Sequence, residues 1–329
     1  MTMSNIQKEM LKHNGRVNLS KMINIPMSEF QYFKMTMLSI NHKKYPLKKL
    51  MLNDCELTDG NFSALVPLIC QFKWVTLNGS QKIGISGWTK FKEYVIKYGC
   101  KIEKLELKIV ETKAGALQLR KKMEDLEEIV TDQAGWEIND NDMETLAPAL
   151  ARIKEVHLGQ NAMTATGWAF LKTAIAEQEK SIRKKKMLGT ENKLAILNLS
   201  LMSRQNVKGE IKYIQPSHMR ELSNVLIQME EVNLAGQISI GGPRKESNPE
   251  KSTEKSETGW EIFEKIIKET DSENLRLKSI NVRNCGMDTD AIVELQQALS
   301  KKNKKVELII DKKGRNYAVQ TSSCCLCCK

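Results

Sequence analysis

Leu47-Lys-Lys-Leu50-Met-Leu52-Asn-Asp-Cys55-Glu-Leu57 returns near the other end of the chain as Leu277-Lys-Ser-Ile280-Asn-Val282-Arg-Asn-Cys285-Gly-Met287, with weaker copies between. In the pattern L-x-x-L-x-L the alternating part is a short strand whose apolar residues point inward while their neighbours face out. The helical stretch that follows carries the chain back to begin the next strand. No such unit buries a core alone, so several must stack.

Working outward from these two copies, strand cores are expected at Leu50–Leu52, Val75–Leu77, Leu105–Leu107, Ile129–Thr131, Val156–Leu158, Leu197–Leu199, Val232–Leu234, Ile280–Val282 and Val306–Leu308. Five of the eight steps between them span 24 to 30 residues, and the longer steps require insertions, placed near 180–193, 200–216 and 238–258. Between strands, Phe62, Leu65, Val66 and Ile69, or Trp88, Phe91, Val95 and Ile96, recur at three-to-four-residue spacing, as amphipathic helices do. A Gly-Trp pair opens three helices, at Gly87-Trp88, Gly167-Trp168 and Gly259-Trp260. Recurrence at one repeat position points to packing anchors rather than ligand stacking. Residues 1–44 read as an N-terminal cap, with Val17-Asn18-Leu19 a degenerate first unit. Residues 45–310 form the repeat domain, and 311–329 a basic, cysteine-rich tail.

The stretch Leu47-x-x-Leu50-x-Leu52-x-x-Cys55-x-Leu57-Thr58-x-x-Asn61, with Leu65 and Ile69, resembles the ribonuclease-inhibitor type of leucine-rich repeat found in the C-terminal arrays of NOD-like receptors. Ile153-x-x-Val156-x-Leu158-x-x-Asn161-x-Met163 fits the same pattern. The resemblance implies an α/β horseshoe with a parallel sheet on its concave side and helices on its convex side. It also implies that Cys55, Asn161 and Cys285 cap backbone groups inside the turn, and that the function is non-enzymatic protein binding on the concave face. Related arrays occur in ribonuclease inhibitor, the Ran GTPase activator and actin-capping regulators, so the alternative is a regulator of an enzyme, a small GTPase or an actin filament. The GTPase activators of this type carry an acidic tail, and this tail is basic.

On that reading the x of each L-x-L forms a column on the concave face: Met51, Thr76, Glu106, Val130, His157, Asn198, Asn233, Asn281 and Glu307. Lys49, Trp74, Lys104, Glu128, Glu155, Ile196, Glu231 and Ser279 stand beside it. The partner-binding candidates are Trp74, Thr76, Glu106, Glu128, Glu155, His157, Asn198, Asn233 and Asn281, with His157 outward. The mixture of charges suits a protein partner, whereas a nucleic-acid groove would be lined with Lys, Arg and aromatics.

Catalytic chemistry has little foothold. Gly79-Ser-Gln-Lys-Ile-Gly84 has phosphate-loop spacing, but Ile85-Ser86 stands where Lys-Ser/Thr is needed. The four histidines form no metal-binding motif, so no catalytic, cofactor or metal residue is expected. At 41% apolar and 28% charged residues, with no twenty-residue apolar run and no signal-peptide pattern in the first thirty, the chain reads as cytoplasmic. Loop Gly241–Glu257, without a large apolar residue, cannot offset its own ordering entropy.

Of the net charge of +11, +6 lies after Ser300, beside Cys324, Cys325, Cys327 and Cys328. Basic residues near an anionic leaflet contribute about 1 kcal/mol each, and acyl chains add more, so S-acylation and peripheral membrane attachment suit this tail. Metal ligation through the Cys-x-x-Cys spacings lacks a second pair or a histidine to close a site; an idle tail is the third reading. Under the first, replacing all four cysteines with serine shifts the protein from the membrane to the soluble fraction. Unchanged fractionation together with an absence of hydroxylamine-sensitive acyl groups would rule it out.

Overall fold

A computed structural model of the chain describes residues 15–20, 27–39, 46–53, 55, 57–78, 83–107, 138–159, 161–184, 193–200, 214–241, 257–302 and 305–310. Nine three-residue strands form one parallel sheet in strict sequence order. The strands are β1 (Arg16–Asn18), β2 (Lys49–Met51), β3 (Trp74–Thr76), β4 (Lys104–Glu106), β5 (Glu155–His157), β6 (Ile196–Asn198), β7 (Glu231–Asn233), β8 (Ser279–Asn281) and β9 (Glu307–Ile309). Eight α-helices alternate with them among the described residues: α1 (Met27–Ser39), α2 (Asp59–Ile69), α3 (Ile85–Tyr98), α4 (Asp140–Leu150), α5 (Ala165–Lys184), α6 (Met219–Leu226), α7 (Gly259–Glu269) and α8 (Thr289–Lys301). Each helix packs on the next along the chain. Packed helices sit about 8–10 Å apart and paired strands under 5 Å, so stacking such units bends the array with the sheet on the inner, concave side.

The centre of every strand is apolar and buried: Val17, Leu50, Val75, Leu105, Val156, Leu197, Val232 and Ile280 are paired in unbroken register, and Leu308, partly buried, ends the row. They join Leu52, Leu107, Leu158, Leu199, Leu234 and Val282 and the helix residues Phe62, Phe91, Trp168 and Phe263 in one core. Residues 16–18 thus carry a strand in register with the rest.

Two expectations need correction. β4 pairs directly with β5 at all three positions, so no strand stands between Leu105 and Val156. The strand expected at Ile129–Thr131, with Glu128 and Val130, falls outside the described residues. In the last unit Leu308, not Val306, pairs with Ile280. A slip of two residues keeps the inward and outward sides but moves each side chain one column along.

One kind of hydrogen bond recurs between units. Cys55 Sγ donates to the carbonyl of Leu19 (3.0 Å), Asn161 Nδ2 to that of Leu107 (3.0 Å) and Cys285 Sγ to that of Leu234 (2.9 Å). Gln237 takes the same position after β7. Its Nε2 donates to the carbonyl of Leu199 (2.7 Å) while its Oε1 accepts from the backbone of Ile214 (3.0 Å). Each bond fastens the turn of one unit to the carbonyl that follows the previous strand, satisfying a group that burial would otherwise orphan.

Helix starts are fastened in a similar way. The Asp59 carboxylate, on the first turn of α2, accepts from the backbone of Gly84 at the start of α3 (2.6 Å). Asp140, on the first turn of α4, accepts from the backbone of Thr164 and Gly167 at the start of α5 (2.8 and 3.0 Å). That approach explains the glycine of each Gly-Trp pair. A Cβ on Gly87 would stand 2.8 Å from the Asp59 carboxylate, and one on Gly167 2.6 Å from that of Asp140; on Gly259 it would meet the Ile240 carbonyl at 2.7 Å. The tryptophans beside them, Trp88, Trp168 and Trp260, are buried anchors. The Gly79–Gly84 spacing ends at the residue before α3, in this latch.

Replacing Asn161 with alanine leaves the carbonyls of Leu107 and Leu158 and the amide of Ile138 without this partner. The expected loss is about 1–3 kcal/mol in a urea melt. Leu158→Ala, which opens a cavity in the core, is expected to cost about 2–5 kcal/mol. Gln237→Leu is expected to behave like Asn161→Ala, and near-neutrality there would show that the ladder does not hold the units together.

Candidate sheet-face binding site

Outward side chains on paired strands form two columns. The first runs Arg16, Lys49, Trp74, Lys104, Glu155, Ile196, Glu231, Ser279 and Glu307; the second runs Asn18, Met51, Thr76, Glu106, His157, Asn198, Asn233, Asn281 and Ile309. Glu307 therefore belongs to the first column and Ile309 takes the place expected for it. Strand spacing of about 4.8 Å brings successive members of a column into contact.

From β2 to β6 those members form one continuous polar chain. Lys49 Nζ lies 3.4 Å from the centre of the Trp74 ring and Lys104 Nζ 4.8 Å from it. Both lie within the range of attraction between a cation and an aromatic face. Trp74 Nε1 donates to Glu106 Oε1 (3.1 Å). Lys104 Nζ lies 2.7 Å from Glu155 and 3.6 Å from Glu106. Glu155 also meets His157 Nε2 at 2.6 Å, and Asn198 Nδ2 lies 3.4 Å from His157 Nδ1. The Asn198 carbonyl oxygen already accepts from the backbone and hydroxyl of Ser200 (3.0 and 2.7 Å). Its amide is then the group that faces the imidazole, whose other nitrogen meets Glu155.

Burial pulls the Glu155 carboxyl upward, but hydrogen bonds and charge from Lys104 and His157 outweigh it and hold the group below its ordinary value. The Lys49 ammonium is shifted down, first by burial and further by Arg16 and Lys104, with Glu106 opposing. His157, expected to face solvent, is only 6% exposed, and Thr76 only 3%. Both are on the sheet face by register yet roofed by their neighbours. The Thr76 hydroxyl has no hydrogen-bond partner among the described residues.

Of the residues expected on this surface, Trp74, Thr76, Glu106, Glu155, His157 and Asn198 come together. Asn233 and Asn281 continue the column beyond them on β7 and β8, and Glu128 is outside the described residues. The asparagines also have a local duty. The carbonyl oxygens of Asn18, Asn198, Asn233 and Asn281 accept from the backbone two residues on, at 3.0, 3.0, 3.1 and 3.2 Å, closing the turn out of each strand. What they offer a partner is the amide nitrogen. Lys49 and Lys104, read from sequence only as neighbours of the column, prove central to it.

A second concavity, of about 480 Å³, lies between α5, α6 and the approach to β8, lined by Lys172, Arg183, Lys193 and Arg276 and by Glu179 and Glu273. Arg276 pairs with Glu179 and Lys172 with Glu221, so much of its charge is internally engaged. Among the described residues no group of three or more His, Cys, Asp or Glu could hold a metal ion. No described helix is long and apolar enough to cross a membrane. The thiols of Cys70 and Cys100 are both pushed up, chiefly by burial, the opposite of nucleophile activation. Cys324, Cys325, Cys327 and Cys328 lie outside the described residues. No protein-family model and no curated protein matches the chain.

Because the Glu155 carboxyl is held low in the folded state, its contribution to stability is present above the ordinary carboxylate range and is lost as pH falls through its folded value. Glu155→Gln is expected to flatten the acid limb of the stability curve and leave neutral-pH secondary structure unchanged. An unaltered acid limb would show that Lys104 and His157 do not hold the carboxylate in its charged form.

Proposed function

We propose that the chain is a non-enzymatic interaction scaffold of the leucine-rich repeat type, taking a partner protein on the concave sheet face. One observation carries this reading: the side chains of five successive strands, Lys49 through Asn198, are tied into a single partly exposed surface around Trp74. Interfaces draw their energy from a few well-positioned anchors, with tryptophan foremost. Hydrogen bonds and ion pairs hold these side chains in place before binding, which lowers the entropic cost of association. The turn bonds of Cys55, Asn161 and Cys285 support assignment to the repeat type of the NOD-like arrays, since capping of backbone groups at that position is what the resemblance implies.

In this proposal the tail is a separate device. Acylation of Cys324, Cys325, Cys327 and Cys328 beside the basic run tethers the scaffold at an anionic membrane surface, leaving the sheet face to choose the partner.

Quantitative affinity capture from the chain's own cells tests the binding reading. Trp74→Ala is expected to deplete the captured partner about tenfold or more. Tyr98→Ala, an exposed residue on α3, is expected to leave it unchanged. Equal capture by both variants would place binding elsewhere.

A further inference from the structure

The charges of the sheet face are not evenly compensated along its length. In the middle, Glu106 is engaged by Trp74 and Lys104, and Glu155 by Lys104 and His157. At the rim beside these strands Lys73 pairs with Glu103 (2.6 Å), and farther along Lys278 pairs with Glu230 (2.7 Å). The first two strands differ. Arg16 on β1, Lys49 on β2 and Lys48 at the entrance of β2 have no carboxylate within ion-pair distance among the described residues. Lys49 also feels like charge from Arg16 and Lys104, with Glu106 opposing it from beyond ion-pair distance. Three cations without an ion pair among the described residues therefore lie at the first two strands, and one of them, Lys49, sits over the face of Trp74, whose indole N–H is already satisfied.

We infer that the segment seated on this end of the sheet face is an acidic stretch of a partner protein, with carboxylates meeting Arg16, Lys48 and Lys49 and an apolar side chain packing beside Trp74. The inference rests on the sheet-face reading above and narrows it. Charge complementarity selects the chemistry: an anionic segment offsets the like charge at Lys49, whereas a basic one would add to it. Glu103, Glu106 and Glu155 are interleaved in the same patch, and Trp74 is the sole Phe, Tyr or Trp of its two columns among the described residues, the His157 ring being almost wholly covered. A nucleic-acid track needs a continuous basic groove and several stacking rings, so those glutamates and the lone ring favour a peptide.

The test is fluorescence anisotropy on the full chain with a short labelled peptide rich in Asp and Glu around one central leucine. Its Asn/Gln counterpart and a single-stranded oligonucleotide serve as competitors. The acidic peptide is expected to bind with an affinity that falls steeply with salt, and the neutral counterpart to bind about tenfold or more weakly. Lys49→Glu and Trp74→Ala are each expected to weaken binding about tenfold, while Lys278→Glu, on the far end of the same face, changes it less than about twofold. Thermal melts of each variant check that the fold is intact. Failure of the acidic peptide to bind, equal loss in Lys49→Glu and Lys278→Glu, or tighter binding of the oligonucleotide would overturn the inference. If the peptide fails while partner capture still depends on Trp74, the acidic segment is wrong and the sheet-face reading stands. If neither depends on Trp74, both fall.

Discussion

The array depends on a buried side-chain hydrogen bond that crosses from each of several units to its predecessor. A three-residue strand offers little apolar surface of its own, and the carbonyl that follows it points into the space between units, where an unpaired acceptor is costly. Cys55, Asn161, Gln237 and Cys285 all answer the same need at the same position. Once that bond is made, the next strand is fixed in register and its outward side chains fall into columns. The latches from Asp59 and Asp140 do the corresponding work on the helix side, and they demand glycine where the backbones close. Sheet and helix layers are thus aligned by polar contacts, while burial supplies most of the driving force.

Alignment has a direct chemical result on the open face. His157 and Asn198 come from different units, as do Trp74 and Glu106, and none of these contacts exists until the strands are paired. The surface is a property of the stack. Its order follows from the same register that buries Leu50, Val75, Leu105, Val156 and Leu197, so the pairing that builds the core also sets the face.

The strands were legible in the sequence because L-x-x-L-x-L combines a period of two with a fixed offset, and eight of the nine expected strand positions coincide with or adjoin a strand of the sheet. The failures have physical causes. Leu126-x-x-Ile129-x-Thr131 keeps the repeat's offset but ends on threonine where the pattern has leucine; it lies outside the described residues, and β4 pairs directly with β5. Val306-Glu-Leu-Ile-Ile310 is apolar at 306, 308 and 310, and a period of two cannot choose between registers that differ by two. Gln237 was missed because a longer amide does the work of the asparagine or cysteine that the pattern leads one to expect. The burial of His157 could not be read locally, since what covers it, Glu155 from its own strand and Asn198 from the next, is assembled only by pairing. The charge imbalance at Arg16, Lys48 and Lys49 was hidden for the same reason: the lysines are plain in the sequence, their lack of carboxylate neighbours is not.

The direct pairing of β4 with β5 separates two kinds of change that a protein can undergo. Leu105 and Val156 are neighbours in space although about fifty residues part them, and lengthening such an excursion costs only about 0.6 kcal/mol per doubling in closure entropy. Glu106 and His157 stand next to each other whatever the connection between their strands contains. Segments between units are therefore free to grow, shrink and diversify, while the face remains under the separate discipline of register. Novelty in this architecture can accumulate at the loops without disturbing the order of side chains on the sheet.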